Sequence, residues 1–209
     1  MHDIIVITGT DFGVGKTWVA CALARSLATR HNEVVAVKLA DGSGTAETGS
    51  GIDATALADA TGQGEPRAAL FRYPDPPPAT ARDATGEAVA IDAMLSQVRH
   101  IAARGDVMLA EGTGGLLTPL TWDCTLVDIS RRLGAMAVVV APDRRGALNH
   151  ALLTLRVLAE ANVNCLGVAI NAFGDPDSST GSNAAALRKL APGTRVIETN
   201  VAGWEQRLV

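Results

Sequence analysis

The chain has 209 residues and a formal net charge of −4, and 47% of it is hydrophobic while only 3% is aromatic. That length suits one α/β domain over residues 1–209 with a core of Ala, Val, Leu and Ile, and no Lys/Arg run longer than two residues offers a nucleic-acid backbone its footprint. No apolar stretch approaches the roughly 20 residues needed to span a bilayer, and Met1-His2-Asp3 leads straight into a strand pattern instead of a signal peptide, so the expectation is a cytoplasmic protein with no membrane or nucleic-acid partner.

Ile4-Ile5-Val6-Ile7 is apolar on both faces and bounded by turn residues, as a buried parallel strand should be. Directly after it comes Thr8-Gly9-Thr10-Asp11-Phe12-Gly13-Val14-Gly15-Lys16-Thr17, which opens a helical pattern over 16–30. Strand, glycine-rich loop, Gly-Lys-Thr and helix in that order form the context of a phosphate-binding P-loop. Its amides and the helix N-terminus point at phosphate oxygens, Lys16 reaches the β and γ positions, and the Thr17 hydroxyl can ligate magnesium. The spacing Gly9-x5-Gly15-Lys16-Thr17 is one residue longer than the common pattern, so the reading rests on context as well as on letters.

Val34-Val35-Ala36-Val37 reads as the second strand and ends at Lys38, at the carboxyl edge where open α/β sheets bind ligands. A solvated lysine is the alternative there. Asp41 to Gly51 reads as a Gly/Ser/Thr-rich loop, and Asp53 opens a helical run through Ala60, as a helix cap or as a magnesium ligand. Tyr73 to Thr80, with four prolines, reads as another loop, followed by a helix over 88–103.

The third strand, Val107 to Ala110, delivers Glu111-Gly112-Thr113-Gly114-Gly115, an acid placed to complete a magnesium site and glycines that let a ligand approach the backbone. Helices over 125–133, 147–161 and 182–190 alternate with strands Ala137 to Val140 and Leu166 to Ile170, giving a mostly parallel sheet covered by helices on both faces. Residues 199–209 carry no clear pattern. Cys21, Cys124 and Cys165 are odd in number and lie in apolar surroundings, which suits reduced core packing.

Assembled in this order, the motifs resemble the dethiobiotin synthetase family along nearly the whole chain. The resemblance rests on Thr8 to Asp11 leading into Val14-Gly15-Lys16-Thr17, on Lys38, on Asp-Ala-x-Ala-Leu from Asp53, on Glu111-Gly112-x-Gly114-Gly115 and on Leu148-Asn149-His150-Ala151-Leu152-Leu153-Thr154. It implies a homodimeric P-loop enzyme that uses ATP and Mg2+ to carboxylate 7,8-diaminononanoate with CO2, phosphorylate the carbamate and close a cyclic urea. By the same resemblance Lys16 and Lys38 are catalytic and Thr17, Asp53 and Glu111 hold the metal. Nucleotide contacts are implied for Asp11, Phe12, Gly13, Val14, Gly15 and the Lys16-Thr17-Trp18 step, with Asn171 reading the base. Substrate contacts are implied for Lys38, Gly42, Thr113, Gly114, Gly115 and Asn149.

The chain departs from the family pattern in three places. Lys38-Leu39-Ala40 replaces Lys-Pro-Val, Phe12 stands where a threonine contacts the carbamate, and Val196 to Val201 replaces a Gly-x-Ile-Pro segment over the base. These departures suit either the usual substrate or another amine, with Asp41 as a candidate ammonium partner. A nucleotide-switch ATPase of partitioning type is the reading from another class, but its early P-loop lysine is absent: Thr10 and Asp11 stand there. An inactive scaffold would have lost Lys16, Thr17 or an acid, and all are present.

Overall fold

The computed structural model describes residues 3–41, 51–63 and 89–209. The loops expected within 42–50 and over 73–80, and with them Gly42, lie outside the described residues, as does residue 88 of the expected 88–103 helix.

Six parallel strands form the central sheet in the order β2-β3-β1-β6-β7-β8. They are β1 (Asp3–Gly9), β2 (Val34–Lys38), β3 (Val107–Gly115), β6 (Met136–Pro142), β7 (Cys165–Asn171) and β8 (Val196–Glu198). A small antiparallel hairpin, β4 (Pro119–Thr121) with β5 (Cys124–Thr125), projects beyond β3. The helices are α1 (Lys16–Leu27), α2 (Ile52–Thr61), α3 (Ile91–Ala102), α4 (Leu126–Leu133), α5 (Ala147–Glu160), α6 (Asn183–Leu190) and α7 (Trp204–Leu208).

The apolar runs are buried on both faces because the pleat divides each of them between two layers. Ile5 and Ile7 of β1 pack with α1, α2 and α7, whereas Val6 between them packs with α3 and α4 on the other face. Strand β6 repeats the division: Val138 and Val140 join the α1 side, and Ala137 and Val139 join α5 and α6. Small side chains such as Ala20, Ala24, Ala110 and Ala141 let the helices lie close to the sheet. All three cysteines are free thiols, Cys21 and Cys124 buried and Cys165 half-buried.

Helix α4 shows how local sequence fixes a boundary. The Thr125 amide donates to Asp128 Oδ2 at 2.9 Å in a capping box, and Gly134 ends the helix in the left-handed region.

The topology sets the site. From β1 the chain moves one way to β2 and β3 and later the other way to β6, β7 and β8, so β1 lies at the reversal, where α/β sheets open a crevice. Because the strands are parallel, the carboxyl ends of β1, β2 and β7 bring Gly9, Lys38 and Asn171 to one edge, and Glu111, midway along the longer β3, lies opposite Lys38 in the β2–β3 register. Among the described residues no helix is long and apolar enough to cross a membrane.

Candidate active site

Strand β1 ends at Gly9, where a Cβ would meet the Asp11 carbonyl oxygen at 2.7 Å and Val14 Cγ2 at 2.8 Å, so only hydrogen fits inside the turn. Gly15 caps α1 at φ +88°, with no side-chain cap on the helix, which leaves the first amides of α1 directed at an incoming anion. Behind the loop, Asn171 Nδ2 donates to the Val14 carbonyl at 3.0 Å, and its Oδ1 accepts from the Thr199 hydroxyl at 2.8 Å. The expected base-reading asparagine therefore ties the P-loop to β7 and to the end of β8, and keeps one N–H and one lone pair for other partners.

A side chain at Gly15 would run into that Asn171 amide. Gly15→Ala is accordingly expected to weaken MgADP binding by about tenfold or more, since left-handed backbone alone costs a non-glycine residue about 1–2 kcal/mol. Calorimetric titration checks this, and wild-type affinity in the variant would contradict the cradle geometry.

Four of the expected groups converge beside the loop. Thr17 donates its hydroxyl proton to Glu111 Oε1 at 2.8 Å, while Lys38 Nζ donates to the same Oε1 at 2.6 Å and to Asp53 Oδ2 at 2.7 Å. Lys38 and Glu111 are both buried, at 4% and 1% exposure, so Lys38 is a built part of the site rather than a solvated strand end. Burial works against the Lys38 charge, but the carboxylates of Glu111 and Asp53 outweigh it and hold its pKa above the ordinary lysine value. Asp53 lies in the first turn of α2, and the helix has no side-chain cap, so the capping alternative does not describe it.

Glu111 Oε2 is buried with no hydrogen-bond partner among the described residues. An orphaned carboxylate oxygen next to the Thr17 hydroxyl and Asp53 is the oxygen set that Mg2+ takes when phosphates and water complete its octahedron. The residues present therefore fit a magnesium ion, with Thr17, Asp53 and Glu111 as its protein side.

Lys16 Nζ donates to the Asp11 carbonyl at 3.0 Å and lies 5.8 Å from the centre of the Phe12 ring. Burial, reinforced by the nearby Lys38 charge, lowers its pKa to about 8. Two lysines and two carboxylates thus share one crevice, balanced in charge until a polyphosphate enters.

Next to the P-loop lies a cavity of about 350 Å3 lined by Thr10, Asp11 and Phe12, by the Gly115 to Thr118 turn and by one face of α5. That face presents His150, Leu153, Thr154 and Val157. Asn149 precedes it on the exposed surface. Phe12 is 46% exposed and lines the cavity instead of entering the core. Its ring lies against Gly114, which sits at φ +60° and where a Cβ would meet Phe12 Cε2 at 2.6 Å. Thr113 and Asp41 are buried.

The Gly115 amide, read as a substrate donor, gives its proton to the Thr118 hydroxyl at 2.8 Å, because the chain turns there into the β4–β5 hairpin. Sequence reasoning passed over Thr10 and Thr199. Thr10 Oγ1 is buried without a hydrogen-bond partner among the described residues and lines the cavity. Its place one residue after Gly9 was the available signal.

A family model described as an AAA domain matches residues 3–199. The chain is 38% identical over 191 residues to the ATP-dependent dethiobiotin synthetase BioD of Anaeromyxobacter dehalogenans (strain 2CP-C), covering 89% of this chain and 84% of that protein. It is also 38% identical over 196 residues to the protein of the same name from Mycobacterium leprae (strain TN), covering 90% and 84%. Among solved structures, the septum site-determining protein MinD with Mg-ADP from Pyrococcus horikoshii OT3 superposes with a TM-score of 0.60 at 17% identity, over 95% of this chain and 82% of that one. That likeness shows a shared fold.

Proposed function

The chain belongs to the dethiobiotin synthetase family, and we propose that it forms the ureido ring of dethiobiotin from 7,8-diaminononanoate, CO2 and ATP. The observation that carries this reading is the joined set of Thr17, Lys38, Asp53 and Glu111, with Lys16 held by the P-loop, beside a cavity of mixed apolar and hydroxyl lining.

One amine of the diamine adds to CO2 and loses a proton, giving a carbamate. A carbamate oxygen then attacks the γ-phosphorus of ATP, releasing ADP and leaving a carbamic-phosphoric anhydride. The second amine attacks the carbonyl carbon and gives up a proton, the C–O bond to phosphate breaks with its electron pair going to phosphate, and phosphate leaves as the cyclic urea closes.

The protein positions reactants and stabilises charge in this chemistry. Lys16 supports the negative charge on the transferred phosphoryl group. Lys38, freed from one of its two carboxylates, reaches the carbamate. Thr17, Asp53 and Glu111 would hold a Mg2+ ion, which would supply neutralisation of phosphate charge when bound. The Gly114 backbone and Thr113 stand at the acceptor end, and the Thr10 hydroxyl offers a polar contact at the cavity wall. Asn171 keeps one N–H and one lone pair with which to meet the base. Leu116, Leu117, Leu153 and Val157 suit an alkyl chain.

The exposed Asn149 and Leu153 on α5 support a homodimer whose partner closes the cavity. A cytoplasmic, single-domain protein acting on small molecules completes the reading. Phe12 supports one variation, a related amine as substrate, because its ring cannot make the hydrogen bond of a threonine.

The test is magnesium-dependent phosphate release from ATP and bicarbonate, with and without 7,8-diaminononanoate, reading the product by mass. A cyclic urea formed only with the diamine is expected. Turnover with another amine alone would move the substrate assignment, and nucleotide binding with no amine-dependent turnover would overturn the ligase reading.

A further inference from the structure

Two tryptophans face each other where α1 meets α7, and no step of the reaction above uses them. Trp18 follows Thr17 directly, in the first turn of α1, and is 53% exposed. Its ring stacks on Trp204, with centroids 5.8 Å apart and planes 18° apart. Trp204 is 3% exposed and belongs with Leu208 to the core cluster that packs under α1.

An exposed indole in the first turn after a P-loop needs a reason, because burial would recover the hydrophobic free energy that solvent exposure forgoes. The direction in which a nucleotide must lie supplies one. The groups that handle the transferred phosphoryl, Lys38, Asp53 and Glu111, stand on the β2–β3 side of β1. With the phosphates wrapped by residues 9–17, the nucleoside must extend toward the opposite side, where β7 and β8 bring Asn171, Thr199 and Trp204 to the same sheet edge and flank. Trp18 stands at that exit from the loop.

Resting on the reading of ATP as the phosphoryl donor, we propose that Trp18 forms a stacking face for the nucleobase and that Trp204 is the positioning residue holding its ring in place. The Asn171 amide already serves Val14 and Thr199, so its capacity to read base edges is reduced, and a flat aromatic platform supplies affinity without that capacity. Trp204 presents one face to Trp18, and the remaining surface of the Trp18 ring is open to a ligand. The rigid partner limits the rotamer entropy lost on binding.

The experiment compares two probes, MgADP and inorganic tripolyphosphate, by calorimetric titration of the full chain. Trp18→Ala is expected to weaken MgADP about tenfold and to leave tripolyphosphate within about twofold, with Trp18→Phe close to wild type. Trp204→Leu is expected to give the same split, and Trp204→Phe to restore it. With Trp122→Phe removing the third indole, MgADP should quench the remaining emission and tripolyphosphate should not. Wild-type MgADP affinity in Trp18→Ala, or equal weakening of both probes, would overturn the stacking role. Wild-type protein that binds no MgADP would overturn the ATP reading itself, an outcome separable from the first because it appears before any substitution.

Discussion

Replacing Lys16 with alanine is expected to lower amine-dependent ATP turnover by at least about a hundredfold, the usual scale for removing one charge-stabilising donor from a preorganised site. Lys16 is confined by its bond to the Asp11 carbonyl and by the Phe12 ring, so its ammonium is held beside the loop proposed to receive the β and γ phosphates. The same confinement has a stability cost. Burial and the neighbouring Lys38 bring its pKa from 10.5 to about 8 in the folded protein. Between these values the unfolded chain binds more protons than the folded one, so ligand-free stability rises as pH goes from about 8 to 10.5. Below pH 8 the penalty is fully present.

Lys16→Met should therefore abolish turnover and yet stabilise the ligand-free protein at pH 7 by about 2 kcal/mol, or roughly 5 °C in Tm. It should also flatten the rise in stability above pH 8. Thermal melts across pH, beside a phosphate-release assay, read both effects. Unchanged turnover in Lys16→Ala would remove the charge argument.

The second large effect is expected at Glu111. Its Oε1 accepts from both Thr17 and Lys38, and its Oε2 is the orphaned oxygen that suits a metal ion. Glu111→Ala removes a carboxylate proposed to hold magnesium and leaves the Lys38 ammonium in the protein interior with Asp53 as its remaining ion-pair partner among the described residues. Breaking one side of a buried pair costs about 3–5 kcal/mol, because the surviving charge stays desolvated. A Tm loss of roughly 10 °C and a fall in turnover of about a thousandfold are expected together.

The double variant Lys38→Met/Glu111→Leu separates the two contributions. Apolar replacement of a whole buried pair is often neutral for folding, so it should recover most of the lost Tm and none of the activity. A double variant as unstable as the single one would place the stability of this region elsewhere.

Much of the site was legible before any coordinates. The five strands that were read are continuous apolar runs, and burial on both faces leaves little ambiguity in such runs. The loop from Gly9 to Thr17 carries its function in its letters, Lys38 stands at the end of β2, and Glu111 stands where the apolar run of β3 gives way to glycines. Strand β8 and helix α7 were not legible. Val196–Glu198 has three residues and Trp204–Leu208 five, too short for a period to show.

The pairing of Lys38 with Glu111 depends on the β2–β3 register, which no local pattern prints. The Trp18–Trp204 stack joins residues nearly the whole chain apart. The role of Asn171 behind the P-loop depends on Thr199, a residue in the stretch without a pattern. In each case the missing information is a contact between distant segments rather than a local preference.

In the proposed reaction a carbamate oxygen, and not water, attacks the γ-phosphorus. An assay with 18O-labelled bicarbonate, ATP, Mg2+ and the diamine, reading the released phosphate by mass at short times, distinguishes the two acceptors. One labelled oxygen in the phosphate is predicted, because the C–O bond of the anhydride breaks when the ring closes. Unlabelled phosphate released alongside ADP would mean that water is the acceptor, and would contradict the account.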